Sequence, residues 1–114
     1  MMKVDDLCNL FASQGLSLSL EQANKLDAYG DLLLDWNQRM NLTAITQPAE
    51  VAVKHFLDSA LLLKYCPDLP ETLSVIDVGT GAGFPGMVLA ILKPDWQITL
   101  LDSLQKRINF LETL

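Results

Sequence analysis

The chain is poor in the residues that build metal centres and covalent crosslinks. It contains one histidine, two cysteines and no C-x-x-C pair among 114 residues, so no zinc site can be recognised in it. Cys8 and Cys66 lie far apart in sequence. Each sits in an apolar, helix-like context, which favours buried free thiols in a reducing compartment over a disulfide. We therefore expect no metal and a cytoplasmic location.

Long hydrophobic runs are also missing. The longest apolar run, from Met87 to Leu92, is far too short to cross a bilayer. The first six residues, Met1 to Asp6, carry acidic residues where a secretory signal needs a basic start followed by an apolar stretch. We expect no membrane partner.

Positive charge is scarce. Eight Lys and Arg residues face fourteen Asp and Glu residues, and the formal net charge is −6. This excess of negative charge is unfavourable for binding to nucleic acid, which requires positive side chains that neutralise phosphates. Half of the residues are hydrophobic and 19% are charged, which is typical of a globular domain.

The spacing of apolar residues predicts a helical first part. Apolar residues recur at helical spacing over residues 4–11, and Gly15 ends that helix. Ser19 and Gln22 have the spacing of a capping box, which predicts the start of a long helix reaching about Met40. A third helix is predicted to start at Thr46 and run toward residue 65.

A linker with two prolines, residues 66–71, separates this region from an α/β pattern. We therefore predict a helical region over residues 1–70 and the start of an α/β domain over residues 71–114. The most informative segment, residues 75–86, has the sequence Val-Ile-Asp-Val-Gly-Thr-Gly-Ala-Gly-Phe-Pro-Gly. It predicts a buried strand, a glycine-rich turn and a helix over residues 85–93, an arrangement that binds nucleotide-bearing ligands.

A second buried strand is predicted over residues 98–101. Asp102 ends it, and a carboxylate at that place can accept hydrogen bonds from both hydroxyls of a ribose. Ser103 is predicted to cap a last helix that starts at Leu104.

The glycine spacing separates the candidate cofactors. A dinucleotide fingerprint fits only from Gly81, with Gly83 and Gly86, and then places Pro85 where a pyrophosphate needs free N–H groups. An acid followed by G-x-G-x-G fits from Asp77 without adjustment, and it is the first motif of S-adenosylmethionine-dependent methyltransferases. A nicotinamide or flavin site, and a structural turn without a ligand, stay as alternatives.

Four segments together resemble one family. They are Asn41-Leu42-Thr43, His55-Phe56-Leu57-Asp58-Ser59, the segment from Asp77 to Gly86, and Leu101-Asp102-Ser103 with Lys106-Arg107. In this combination the chain resembles the bacterial 16S ribosomal RNA guanine-N7 methyltransferases, also called GidB or RsmG, over almost its whole length. Ala60 and Gln105 depart from the family pattern, at positions that do not look like cofactor contacts.

The resemblance implies a fold and a cofactor site. The fold is a class I S-adenosylmethionine-dependent methyltransferase (Rossmann-like) fold with an N-terminal helical extension, truncated after the second strand. The expected cofactor-binding residues are Asp77 and Gly79 near the methionine moiety, Gly81, Gly83 and Phe84 in the turn, and Asp102 on the ribose. The adenine contacts and an active-site arginine are expected in a part of the domain that this sequence lacks.

The resemblance also implies a reaction. A methyl group passes from S-adenosylmethionine to N7 of a guanine in 16S rRNA on the small ribosomal subunit, and N7 carries no proton, so no general base is needed. We assign no catalytic residue. We expect the fragment to be inactive alone, and to be part of a longer chain or to self-associate through exposed sheet edges. A methyltransferase of a small molecule or a protein, and a binding module without catalysis, are the alternatives.

Overall fold

The computed structural model describes residues 4–40 and 42–114. Its elements are α1 (Val4–Ser13), α2 (Leu20–Met40), α3 (Pro48–Glu50), a π-helical segment (Val51–Leu57), α4 (Asp58–Tyr65), β1 (Ser74–Val78), α5 (Gly86–Leu92), β2 (Gln97–Leu101) and α6 (Gln105–Thr113). Helices therefore precede a parallel β-α-β unit, as the sequence predicts. Asn41, the first residue of one of the four family segments, and Met1 to Lys3 lie outside the described residues.

The capping box of α2 is confirmed. The Gln22 N–H donates to Ser19 Oγ at 3.1 Å, and the Ser19 N–H donates to Gln22 Oε1 at 2.9 Å. These bonds satisfy donors that the first turn of a helix leaves unpaired. The 21-residue helix then buries one stripe that includes Leu26, Tyr29 and Leu33.

The predicted third helix forms, but it differs in two details. It begins after Gln47, which is extended, and Pro48 occupies the first helical position, where its missing N–H costs nothing. The cap predicted at Thr46 is therefore wrong by one residue. The middle of the run is π-helical, and the Asp58 N–H donates to the Val53 carbonyl five residues earlier. No local pattern in the sequence signals this widening.

The two strands pair in parallel, with Val75 opposite Ile98 and Val78 opposite Leu101. Exposure alternates along both strands. One face packs on α5, whereas Ile76 and Val78 on the other face are 67% and 73% exposed. The prediction of fully buried strands is therefore wrong for one face, because α5 covers a single side of the sheet.

Two smaller predictions are also wrong. Cys66 is exposed, because α4 ends at Tyr65 and the chain leaves the helix there. Ser103 does not cap α6. That helix begins after Leu104 without a side-chain cap, and the Leu104 N–H instead donates to Asp102 Oδ1 at 3.0 Å.

One hydrophobic core joins the helical region to the β-α-β unit. Its largest fully buried members come from both parts: Leu7, Phe11, Leu26, Leu33, Val51, Phe56, Val88 and Phe110. Tyr29 of α2 lies between the two parts, and its hydroxyl donates to the Ala82 carbonyl in the glycine turn. The helical region therefore supports the turn directly.

Replacing Tyr29 by phenylalanine tests this support. The Tyr29→Phe variant leaves the buried Ala82 carbonyl without its donor, so we expect the free energy of unfolding to fall by about 1–3 kcal/mol. Urea denaturation measures the change. The matched control, Tyr65→Phe, removes an exposed hydroxyl and should change stability by less than about 0.5 kcal/mol. Equal effects of the two substitutions would contradict the role of Tyr29.

Candidate functional site

The glycine turn is bonded to the carboxyl end of β2. The N–H groups of Gly79 and Thr80 both donate to the Leu101 carbonyl, at 2.8 and 3.1 Å. The turn then closes on itself, because the Gly83 N–H donates to the Thr80 carbonyl at 3.0 Å. This bonding places the turn at the edge of the sheet where both parallel strands end, as residues 75–86 predict.

Three glycines of the turn have a positive φ: Gly79 at 70°, Gly81 at 61° and Gly83 at 102°. Residues with a Cβ adopt this region rarely. At Gly81 an added Cβ would meet nothing within 4 Å, whereas at Gly83 it would lie 2.6 Å from Tyr29 Oη. Gly81 therefore faces open space and Gly83 faces the helical region.

The carboxylate of Asp77, in β1, is hydrogen-bonded to the turn. Its Oδ2 accepts the Thr80 hydroxyl at 2.6 Å and the Gly86 N–H at 2.9 Å. A Cβ at Gly86 would lie 2.9 Å from the same oxygen, so the close approach requires glycine there. The carboxylate thus joins the end of β1 to both the start of the turn and the start of α5.

The carboxylate of Asp102, directly after β2, is also hydrogen-bonded to the turn. The Gly81 N–H donates to its Oδ2 at 2.8 Å, the Leu104 N–H donates to its Oδ1 at 3.0 Å, and Arg107 Nη1 lies 3.5 Å from Oδ1. The side chain is 2% exposed. The backbone N–H groups of Leu104 and Gly81, and then the Arg107 charge, lower the pKa of Asp102.

A cleft of about 360 Å³ lies where the two strands end, lined by Val78, Gly79, Leu101, Asp102 and Ser103. The structure therefore brings together Gly79, Gly81 and Asp102 of the predicted site. Asp77 lies near the end of β1, and its carboxylate bonds to Thr80 and Gly86 on either side of the turn. Gly83 and Phe84 lie on its other side, toward the helical region.

An aromatic stack on that other side was missed by sequence reasoning. The His55 ring stacks on Phe84 with centroids 4.2 Å apart and planes within 6°, and Phe84 also stacks on Tyr29 at 5.2 Å. His55 Nε2 lies 2.9 Å from Thr43 Oγ1. The His-Phe-Leu-Asp-Ser segment and the apolar stripe of α2 were the available signals, but neither shows that these rings meet.

The surroundings of the stack shift two pKa values. Burial lowers the pKa of His55 below its usual 6.5, although the Asp58 charge opposes the shift. Burial, and then the Asp77 charge, raises the pKa of Tyr29. His55 is therefore neutral and Tyr29 keeps its donor proton near pH 7.

Within residues 4–40 and 42–114 no helix is both long and apolar enough to span a bilayer. No group of three or more His, Cys, Asp or Glu side chains in the same ranges is arranged to hold a metal ion.

Comparison with known proteins gives consistent matches. The profile of the GidB family, described as rRNA small subunit methyltransferase G, matches residues 22–114. A protein of Streptococcus pneumoniae (strain ATCC BAA-255 / R6) named ribosomal RNA small subunit methyltransferase G is 46% identical, over 99% of this chain and 48% of its own length. One of the same name from Clostridium botulinum (strain Eklund 17B / Type B) is 50% identical, over 96% of this chain and 46% of its own length. The chain spans about half the length of the curated relatives it matches.

The lowered pKa of Asp102 predicts a pH-dependent contribution to stability. A carboxyl with a lowered pKa in the folded state stabilises the protein above the unfolded pKa, and loses that contribution as the pH falls through the folded pKa. The Asp102→Asn variant should therefore be less stable than the wild type at pH 7, and the difference should shrink below the usual value of 3.8.

Urea unfolding at several pH values between 7 and 3 measures this difference. The control is Asp35→Asn, which removes an exposed carboxylate that pairs with Arg39 and should change stability little at any pH. A difference between Asp102→Asn and the wild type that grows on acidification would contradict the assignment.

Proposed function

Because the chain belongs to the GidB family, rRNA small subunit methyltransferase G, we propose that it forms part of an S-adenosylmethionine-dependent enzyme that methylates N7 of a guanine in 16S rRNA. One observation carries the proposal. A turn with three glycines at positive φ is bonded to an aspartate at the end of the neighbouring parallel strand. Such a turn exposes backbone to a nucleoside-bearing ligand at the place where α/β sheets bind one.

The residues of the turn fit S-adenosylmethionine. Gly81 has open space where a side chain would stand, and the cleft beside Gly79 and Asp102 lies on the same edge of the sheet. A carboxylate has about four lone-pair sites, so Asp102 retains one acceptor site for a ribose hydroxyl beyond its contacts with Gly81, Leu104 and Arg107. The proposed cofactor site comprises Asp77, Gly79, Gly81, Gly83, Phe84 and Asp102.

The proposed fold is the class I methyltransferase fold, with residues 1–70 as its helical extension and residues 71–114 as the start of its sheet. The exposed apolar face of β1 and β2 supports this proposal, since strands in such sheets are covered on both faces. Further strands and helices of a longer chain would cover Ile76 and Val78. Self-association through the sheet edge is the other arrangement we propose, and it would pair the backbone groups of the edge rather than cover these side chains.

The proposed reaction requires that the cofactor is correctly positioned, and it requires no proton transfer. S-adenosylmethionine, held by Gly79, Gly81 and Asp102, would supply an electrophilic methyl group for the lone pair of guanine N7. N7 carries no proton, so no side chain has to remove one. The turn and Asp102 would contribute by holding the cofactor in one orientation, and effective concentration then provides much of the rate.

The RNA partner is supported by family membership and opposed by composition. The net charge of −6 is unfavourable for phosphate binding, so it favours a small-molecule or protein acceptor as the second candidate. A basic surface can coexist with an acidic total charge. An enzyme that acts on ribosomal subunits would work in the cytoplasm.

A methyl-transfer assay separates these candidates. The full-length protein is incubated with methyl-labelled S-adenosylmethionine and, in separate reactions, small ribosomal subunits from cells lacking the enzyme, naked 16S rRNA, total protein or metabolites. We expect label in RNA of the subunit or in naked rRNA, at a guanine whose N7 methylation makes the chain cleavable after reduction and aniline treatment. Label confined to protein or metabolites would refute the rRNA proposal.

Replacing Gly81 by valine tests the turn as the cofactor site. The Gly81→Val variant places a branched side chain in the open space beside the turn and strains a positive φ, so we expect S-adenosylmethionine binding to be lost. Calorimetry measures the affinity. The control, Gly15→Val, imposes the same strain at φ 77° with nothing within 4 Å of the added Cβ, outside the turn. Unchanged affinity in Gly81→Val, or equal losses in both variants, would remove the turn as the cofactor site.

A further inference from the structure

A second cleft, of about 300 Å³, opens on the helical side of the glycine turn. Lys54, Asp58 and Ser59 line one part of it, and Leu62, Phe84 and Pro85 line another. The cleft therefore combines one positive charge, one negative charge and a hydroxyl with an apolar wall.

The second cleft is continuous with the turn that borders the first. Gly79 lines the first cleft and Phe84 lines the second. The chain between them is a closed turn, since the N–H groups of Gly83 and Phe84 both donate to the Thr80 carbonyl, at 3.0 and 3.2 Å. The two clefts therefore flank one turn, and a ligand that contacts both must lie across it.

The charges of the second cleft are free to meet a ligand. Lys54 Nζ lies 3.5 Å from Glu50 Oε2, but both side chains are at least half exposed, and such ion pairs contribute little. His55 lines the same cleft and is kept neutral by burial of its ring, which lowers its pKa. Its ring therefore adds no positive charge beside Asp58.

Asp77 is a poorer partner for a ligand than Asp58, because its carboxylate is already bonded within the protein. Its Oδ2 accepts both the Thr80 hydroxyl and the Gly86 N–H, and its Cβ would lie 3.1 Å from a Cβ at Gly86. The side chain is thus packed against the first residue of α5. The carboxylate that lines the cleft on this side of the turn is that of Asp58.

We propose that the second cleft binds the amino-acid end of the cofactor. Asp58 accepts hydrogen bonds from the α-ammonium group, Lys54 pairs with the α-carboxylate, and Leu62, Phe84 and Pro85 contact the methylene groups. Two opposite charges four residues apart match the two charges of a zwitterion, and the apolar wall matches the chain between them. The inference rests on the proposed function, because it requires that S-adenosylmethionine binds at the turn.

The test compares ligands with and without the amino-acid end. Calorimetry on the full-length protein measures the affinity for S-adenosylhomocysteine, which has this end, and for 5′-methylthioadenosine, which lacks it. We expect Asp58→Asn to weaken S-adenosylhomocysteine binding about tenfold or more, the typical loss for a hydrogen bond to a charged group, and to leave 5′-methylthioadenosine binding unchanged. Lys54→Gln should act in the same direction.

Two comparison variants separate a loss of affinity that is specific to the amino-acid end from a loss caused by a disturbed structure. Asp77→Asn should weaken both ligands alike, because it loosens the turn that both contact. Asp35→Asn, far along α2 and paired with Arg39, should change neither affinity.

The outcomes are distinguishable. If the wild type binds neither ligand, the proposed function fails and this inference falls with it. If the wild type binds both ligands but Asp58→Asn leaves the ratio of the two affinities unchanged, the proposed function stands and the inference is overturned. An Asp58→Asn variant with unchanged cofactor affinity and a raised KM for RNA would place Asp58 against the substrate, and would also overturn it.

Discussion

The hydrogen bond from the Gly81 N–H to the Asp102 carboxylate, at 2.8 Å, is the constraint on which the site depends. It holds the middle of the glycine turn against the end of the neighbouring strand, while two further bonds to the Leu101 carbonyl hold its start. Gly81 itself has a positive φ, which glycine adopts without a steric penalty, and the chain can therefore turn away directly after this bond. The position of the turn thus depends on its contacts with the end of the neighbouring strand.

The helical region completes the support from the opposite side. Tyr29 donates to the Ala82 carbonyl and stacks on Phe84, whose other neighbour in the stack is His55. Flat rings packed in series resist displacement of the middle ring, because each displacement opens a gap that costs dispersion contacts. The N-terminal helices are therefore part of the site's construction, although most of its hydrogen bonds come from residues after Val75.

Local signals in the sequence predicted most of the elements, whereas contacts between distant segments were out of reach. The Ser19–Gln22 capping box and the G-x-G-x-G spacing are chemical patterns with one common structural outcome, and both were located correctly. The stack of His55 on Phe84 joins residues 29 positions apart in the sequence, and no spacing rule connects them. The apolar composition of β1 indicated a buried strand, but composition does not show which face has a neighbour, and Ile76 is exposed.

The π-helical segment Val51–Leu57 has a consequence for changes in chain length. A π-helical turn holds one residue more than the α-helical hydrogen-bond pattern allows, so deleting one residue there would restore a regular α-helix without breaking the run. The helical turns on either side would keep their faces, because the wide turn already accommodates the extra residue. The change would fall on the segment itself, where six side chains would have to take the places of seven. The segment can thus lose a residue and remain a helix, but the placement of His55 against Phe84 depends on its full length.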